Sequence, residues 1–414
     1  MVPSRSGRCL AEARAVSADE ALARVFRDEA ARLTGSVVRL IGDFGVAEEI
    51  VGDTLVIAIE RWRRDGIPER PGAWLTTTAK RRAIDRLRRD ATYARKLADI
   101  DRGGEIGPDE VDDRLRLIFT CCHPALAPNA RVALTLQAVL GFTTSDIAMA
   151  FVASEAAIAQ RLSRARRKIT EARIAYRMPA DDELPERLAS VLAVLYLAFN
   201  EGYLSSRPAA PFRRDLAEDA AWLTEGLASL MPREPEPLGL LALMRLNVAR
   251  SSARFDAAGR IVLLRDQDRA RWDRAAISSA IALLERAAAM GRPGQYQLQA
   301  AIAACHAEAE TWDLTDWVQV VVLYDLLLTI APTPIVRLNR AIALREIAGS
   351  EVALSDVEAL AGELDGYHLF HATRAELLRE TGNLDEARLA EATGLALTRN
   401  EAERTLLEER LSTP

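Results

Sequence analysis

Apolar residues recur three and four positions apart along most of this chain, the spacing that lines up one face of a helix. Leu22, Val25, Phe26, Leu33, Val37, Val38 and Leu40 form a first stripe. A second predicts a helix over about Val46–Arg63, and a third one from Gly72 or Ala73 through Leu87. Between these two, Asp65-Gly66-Ile67-Pro68-Glu69-Arg70-Pro71 reads as a loop by its Gly and Pro content. The period returns in an apolar run, Val132–Leu140, introduced by Pro128-Asn129 and stopped by Gly141. A short helix over Thr144–Phe151 follows, then a long one over Glu155–Tyr176, with Ser154 as its N-cap. From Leu184 to the end, helical stretches alternate with breakers such as Gly202, Pro208, Pro232, Gly291, Pro293 and Pro332. Beta-branched alternation is almost absent. The expected fold class is therefore all-α.

The pattern divides the chain. Residues 1–18 read as a disordered start, 19–96 and 114–178 as two small helical domains, and 97–113 as a linker. Residues 184–414 read as a helical extension, in one part or in two that meet at about 293. The linker holds Asp99, Asp101, Glu105, Asp109, Glu110, Asp112 and Asp113 against Arg102, and its glycines prevent a continuous helix. In the extension, Ala375, Leu378, Gly382, Asn383, Ala387, Ala390 and Leu397 resemble a tetratricopeptide (TPR) hairpin, with Ile335–Ile347 as a helix of its neighbour. The extension is expected to be a TPR-like array.

Composition narrows the classes. A chain of 414 residues exceeds one ordinary domain, and 49% hydrophobic with 28% charged residues excludes a wholly disordered protein. Four cysteines cannot form a dense disulfide framework. Cys121-Cys122-His123 has poor geometry for a tetrahedral site and no second cysteine pair to close one, so neither metal nor cofactor is expected. The sequence has no run long and apolar enough for a membrane span and no signal-peptide core, which predicts a cytoplasmic protein. The formal net charge of −6 argues, taken alone, against a nucleic-acid partner.

The distribution of charge reverses that inference. Arg61–Lys96 holds twelve bases and four acids, and Arg161–Arg177 seven bases and one acid. Glu351–Arg410 holds fourteen acids and six bases. The acidity of the whole thus hides two basic helices, footprints for a phosphate backbone. Around the second, Asp146–Phe151, a turn at Val152-Ala153-Ser154, and Glu155–Lys168 have the pattern of a helix-turn-helix. Ile147, Ala148, Phe151, Ile158, Leu162 and Ala165 can pack together, while Ala157, Gln160, Arg161, Arg164 and Lys168 share another stripe, with Arg167 beside it. Gln pairs with adenine and Arg with guanine or phosphate. The first cluster gathers Trp74, Lys80, Arg81, Arg82, Asp85, Arg86 and Arg89 on one helix just after Trp62. Aromatics interleaved with bases suit unstacked single strands, although either tryptophan can equally be core.

These residues carry a resemblance. The N-terminal 178 or so residues resemble a bacterial sigma-70 family RNA polymerase sigma factor of the extracytoplasmic-function type. Ala47-Glu48-Glu49-Ile50-Val51-Gly52-Asp53-Thr54, with Trp62, is similar to the segment that contacts the polymerase clamp helices. Trp74–Arg88 is similar to the segment that reads and melts the −10 element, and Asp146–Lys168 to the helix-turn-helix that reads the −35 element. Arg114–Leu126, with its Cys-Cys-His-Pro run, resembles the signature of a subgroup with a long TPR-like extension. So do Asn200-Glu201-Gly202-Tyr203, Asp266-Gln267-Asp268-Arg269 with Trp272-Asp273, and Tyr296–Ile302. Val152 stands where that turn usually has Gly, and Ala157 where Thr or Ser is frequent, so the −35 preference departs from the usual one.

The resemblance implies a non-enzymatic sigma factor whose partners are core RNA polymerase, through the beta-prime clamp helices and the beta flap, and promoter DNA, duplex and melted. Glu48, Glu49, Asp53 and Trp62 would serve polymerase binding. Trp74, Lys80, Arg81, Arg82, Asp85, Arg86 and Arg89 would serve the −10 element and melting. Ala157, Gln160, Arg161, Arg164, Arg167 and Lys168 would serve the −35 element. The extension would hold a protein partner or the chain's own sigma domains, with no membrane-bound partner. The alternative is a one-component helix-turn-helix regulator with a helical sensor. Asp266, Asp268 and Asp273 are expected to cap helices and pair with Arg265, Arg269, Arg271 and Arg274 rather than to act as acid and base.

Overall fold

A computed structural model of the chain describes residues 29, 32–89, 110–150, 153–180, 182–203, 214–398 and 401–412. The expected disordered start, nearly all of the acidic linker, and the Phe151-Val152 part of the helix-turn-helix lie outside the described residues. Every regular element among the described residues is helical, in keeping with the all-α expectation. Two compact units divide the chain, Met1–Ala198 and Phe199–Pro414.

The first unit opens with α1 (32–41), α2 (Phe44–Asp65) and α3 (Pro71–Arg89). Asp43 caps α2 by accepting from the Val46 N–H at 3.0 Å, and Gly66, at φ 85°, ends it. Leu33, Val37, Phe44, Ala47, Val51, Ala58, Leu75, Ala79 and Ala83 are buried between these helices. Then come α4 (Glu110–Cys121), α5 (Pro128–Ala138), α6 (Thr144–Ala150), α7 (Glu155–Glu171) and α8 (Leu184–Tyr203). Their core holds Leu117, Ile118, Phe119, Leu134, Ile147, Ile158 and Leu162, all at most 1% exposed. The unit ends inside α8, a helix the sequence pattern assigns wholly to the extension. Arg131 of α5 donates to the Ser190 hydroxyl of α8 at 2.8 Å.

The predicted long helix stops at Glu171, not Tyr176. Arg173 takes a left-handed φ of 50°, and Ile174 N–H donates to Ile169 O while Arg173 N–H donates to Thr170 O. That 6→1 and 5→2 pair of bonds is a helix-ending motif usually built on Gly, so an Arg there hides the stop from sequence.

The second unit begins with α9 (Arg214–Leu230) and α10 (Pro235–Val248), and after an irregular segment continues as α11 (Arg274–Ala288) and α12 (Gln295–Glu308). Glu236 of α10 caps α12, accepting from the N–H groups of Tyr296 and Gln297 at 3.0 and 3.1 Å. Gly239 permits that approach, since a Cβ there would lie 2.7 Å from the Gln297 nitrogen. The array continues through α13 (Trp317–Ile330), α14 (Pro334–Ala348), α15 (Ser350–Glu358), the one-turn α16 (Ala361–Leu364), α17 (His368–Glu380), α18 (Leu384–Leu397) and α19 (Glu401–Ser412). Apart from α16, each helix from α12 onward packs on its successor, as a TPR-like stack requires. The expected hairpin is α17–α18: Ala375, Leu378, Ala387 and Ala390 form its core, and Gly382 turns it at φ 84°.

Residues 249–273 correct the reading of this region as helical. They form three short 3-10 turns and a bridge between Phe255 and Ile261. Asp256 holds the turn by accepting from the Ala258 and Arg260 N–H groups, both at 2.9 Å, and Gly259 sits at φ 79°. Short side-chain-to-backbone bonds of this kind compete with helix, and apolar spacing does not register them.

Candidate nucleic-acid interface

The register of α7 decides what the molecule presents. Ser154 caps it, accepting from the Ala157 N–H at 3.2 Å, and fixes where its first turn begins. Ile158, Leu162, Ala165 and Ile169 are then buried. Ala157, Gln160, Arg164, Arg167 and Lys168 are exposed, and Arg161 is half-buried. Before it, α6 is fixed by a reciprocal cap: Thr143 N–H donates to the Asp146 carboxylate at 3.0 Å, and Asp146 N–H to the Thr143 hydroxyl at 3.1 Å. The two helices pack together as a helix-turn-helix pair.

All six predicted −35 residues line one open hollow of about 610 Å³. Its opposite wall is the turn at Ala125–Ala127 that follows the Cys-Cys-His-Pro run, with the start of α5 at Asn129 and Ala130. Arg131 holds that turn by donating to Leu126 O and Pro124 O, each at 2.8 Å, and His123 Nδ1 accepts from the Ala125 N–H. The two cysteines lie beneath it, fully buried, with Cys122 Sγ 3.6 Å from the Thr135 hydroxyl. Burial pushes the Cys122 thiol up to about 12 and the Cys121 thiol well above its ordinary value. These are core thiols, not nucleophiles. Among the described residues no group of three or more His, Cys, Asp and Glu is placed to hold a metal ion.

The first basic cluster lies along α3. Arg81, Asp85 and Arg86 are exposed, and Trp74 and Lys80 are half-buried. The side chain of Arg89 lies outside the described residues. Trp62 is 5% exposed and meets Trp74 edge to face, with ring centroids 5.4 Å apart. Trp62 is thus a core residue that seats Trp74, which keeps part of its ring open.

The four expected polymerase contacts do not share one free face. Glu49 is exposed. Asp53 pairs with Arg82 of α3. Glu48 pairs with Arg166 of α7, which donates from Nη2 to Glu48 Oε1 at 3.0 Å and to Gln137 Oε1 at 2.5 Å. Burial raises the Glu48 carboxyl above its ordinary value, against the pull of Arg166. In the sequence Arg166 registers only as one more base, and nothing in the spacing singles out Arg131. For Arg166 the signal was available, since its place beside Leu162, Ala165 and Ile169 sets it at the rim of the buried face.

Comparisons with known proteins agree with this geometry. Residues 25–92 match the family described as Sigma-70 region 2, and residues 116–169 the one described as Sigma-70, region 4. Residues 187–288 match a family of unknown function (DUF6596). The chain is 40% identical over 380 residues to an uncharacterized protein of Rhizobium meliloti (strain 1021), covering 89% of this chain and 90% of that one. It is 33% identical over 154 residues to the ECF RNA polymerase sigma factor SigL of Mycobacterium tuberculosis (strain ATCC 25618 / H37Rv), covering 36% of this chain and 86% of that one. To the probable ECF RNA polymerase sigma factor SigI of the same strain it is 28% identical over 170 residues, covering 39% of this chain and 58% of that one. No solved structure matches the chain.

Proposed function

The chain belongs to the extracytoplasmic-function group of the sigma-70 family, as a member with a C-terminal extension, and directs transcription initiation; we propose the following division of that work among its residues. Its family role is regulatory, with core RNA polymerase and promoter DNA as partners. Gln160 and Arg161 read base edges of the −35 element in the major groove, with Ala157 facing the same groove. Arg164, Arg167 and Lys168 hold its phosphates. Lys80, Arg81, Arg82, Arg86 and Arg89 hold phosphates beside the −10 bubble, with Trp74 as the ring on which a base stacks, Trp62 behind it and Asp85 on the same helix. Glu49 and Asp53 dock on the polymerase clamp helices, joined by Glu48 when Arg166 releases it. The protein works in the cytoplasm. Among the described residues no helix is long and apolar enough to cross a membrane.

The observation that carries this reading is the α7 surface: four apolar residues face the core, and all six −35 candidates line one hollow. The extension is assigned an interaction role, with a protein partner or the sigma domains themselves as occupant. The test is run-off transcription with core polymerase and promoter DNA, using the full chain and a chain ended at Ala198. Transcripts from one start site support the assignment. Operator binding without transcripts would point to a one-component regulator. Equal activity of the shortened chain would remove the extension from initiation.

A further inference from the structure

The irregular segment 249–273 and the end of α12 bring together three arginines, Arg250, Arg254 and Arg269, that no carboxylate among the described residues neutralises. Arg254 lies over the ring of Tyr203, its Cζ 3.8 Å from the centroid. Arg250 and Arg269 both face Trp272, at 5.9 and 4.8 Å. Arg269 and Trp272 are 7% and 3% exposed. Nearby acids are engaged elsewhere: Asp256 with Arg260, Asp266 with Arg265, Asp268 with the Ala270 N–H, and Asp273 with the Ala276 N–H. The expected pairing of this run therefore holds for Asp266 and Arg265. Arg269 donates instead to the His306 and Ala309 carbonyls, and Arg274 to the Ala307 carbonyl.

Fully buried polar atoms in this cluster have no hydrogen-bond partner among the described residues: Arg250 Nε, Arg254 Nη1, Arg269 Nη2, Trp272 Nε1 and His306 Nδ1. Burial, and then Arg254, push the Arg250 guanidinium below its ordinary value. Buried like charges with unmet donors are costly unless something of opposite sign satisfies them, and a guanidinium fork matches the oxygens of a phosphate or a carboxylate. The elsewhere well-neutralised array makes the contrast: Glu376 alone receives Arg265, Arg345 and Arg410 at 2.9, 2.8 and 3.3 Å.

We propose that the extension carries a binding site for a small oxyanion, with a phosphoryl or carboxylate head group, held by Arg250, Arg254 and Arg269 against Tyr203 and Trp272. The site draws on three of the sequence runs that the sigma activity leaves unexplained: Asn200–Tyr203, Asp266–Asp273, and α12, which contains Tyr296–Ile302. It is independent of polymerase and of promoter DNA.

Hydrogen exchange on the full chain tests it, in chloride buffer at constant ionic strength, with phosphate, pyrophosphate or citrate added. The expected result is saturable protection of 249–273 and of the end of α12. Preference for the phosphates assigns a phosphoryl ligand, and preference for citrate a carboxylate, both within the proposal. Protection confined to the basic helices α3 and α7, or none with any of the three anions, would overturn it. In the Arg250→Gln/Arg254→Gln variant the affinity should fall at least tenfold, whereas Arg265→Gln, on the same segment but paired with Glu376, should keep it. Unchanged affinity in the double variant would equally overturn the site. Should that variant not fold, the wild-type exchange map decides.

Discussion

Arg166 and Glu48, 118 residues apart in the chain, join the helix proposed to enter the major groove to the helix proposed to meet polymerase. Their side chains are 31% and 19% exposed, so the pair is partly shielded from water. One carboxylate of the set proposed to face polymerase is thereby engaged with the domain proposed to read the −35 element.

The pair should be asymmetric to mutation. Arg166→Ala leaves a shielded carboxylate without its cation and should cost about 1–3 kcal/mol. Glu48→Gln keeps an acceptor for Arg166 and should cost less. Chemical denaturation of the full chain measures both, and equal small losses would show the pair to be energetically idle. If Glu48 also docks on polymerase, Arg166→Ala should bind core enzyme more tightly in the absence of DNA.

On the recognition helix, phosphate and base contacts should separate by their salt dependence. Arg164→Ala and Lys168→Ala should weaken binding to every duplex, each lowering the log–log salt slope by about 1. Gln160→Ala should cost about 1–3 kcal/mol at one base pair and relax the preference there. Titration of labelled −35 duplexes at several salt concentrations, with each base of the site varied, distinguishes the two. A Gln160→Ala variant that lost affinity equally for all sequences would place that side chain on the backbone instead.

Arg82 offers a separation of function from stability. Its pair with Asp53 is exposed, 39% and 53%, and should contribute no more than about 1 kcal/mol to folding. Loss of one charge-assisted phosphate contact beside the bubble is worth roughly tenfold in open complex. Arg82→Ala should therefore melt near the wild-type temperature while permanganate footprinting of the −10 region shows the tenfold defect. A normal footprint would remove Arg82 from the melting surface.

Much of this was legible because helical period and charge are local properties. The buried face of α7 was recovered from spacing alone, at Ile158, Leu162 and Ala165, and so was the cap at Ser154. What spacing could not supply were contacts made across the fold. Glu236 capping α12 and Arg131 bracing the turn after Cys122 join residues whose own helices give no hint of it. The stop at Arg173 was hidden because a left-handed φ is ordinarily signalled by Gly or Asn. Segment 249–273 is irregular where Asp256 and Asp268 bond the backbone locally, since such bonds outweigh moderate helix propensity, and helix resumes only where Asp273 caps α11.

His306 stacks on Trp312, with ring centroids 6.0 Å apart, and meets Trp317 edge-on at 5.2 Å. Burial, then the charges of Arg250 and Arg269, push its imidazole down to about 4 from an ordinary 6.5. The folded state therefore holds the neutral ring through a range in which the unfolded chain takes up a proton. Stability from this group is complete above about pH 6.5 and is lost as pH falls toward 4, by on the order of 3 kcal/mol over the whole window. His306→Gln keeps a neutral polar ring substitute and removes the titration. Denaturation midpoints of wild type and variant at pH 7.5 and 5 should converge as the wild type loses its advantage in acid, the difference isolating His306 from the carboxylates that titrate in both. Parallel pH dependences in the two proteins would mean that the imidazole takes up its proton as readily in the folded as in the unfolded chain, and that neither burial nor the arginines depress it.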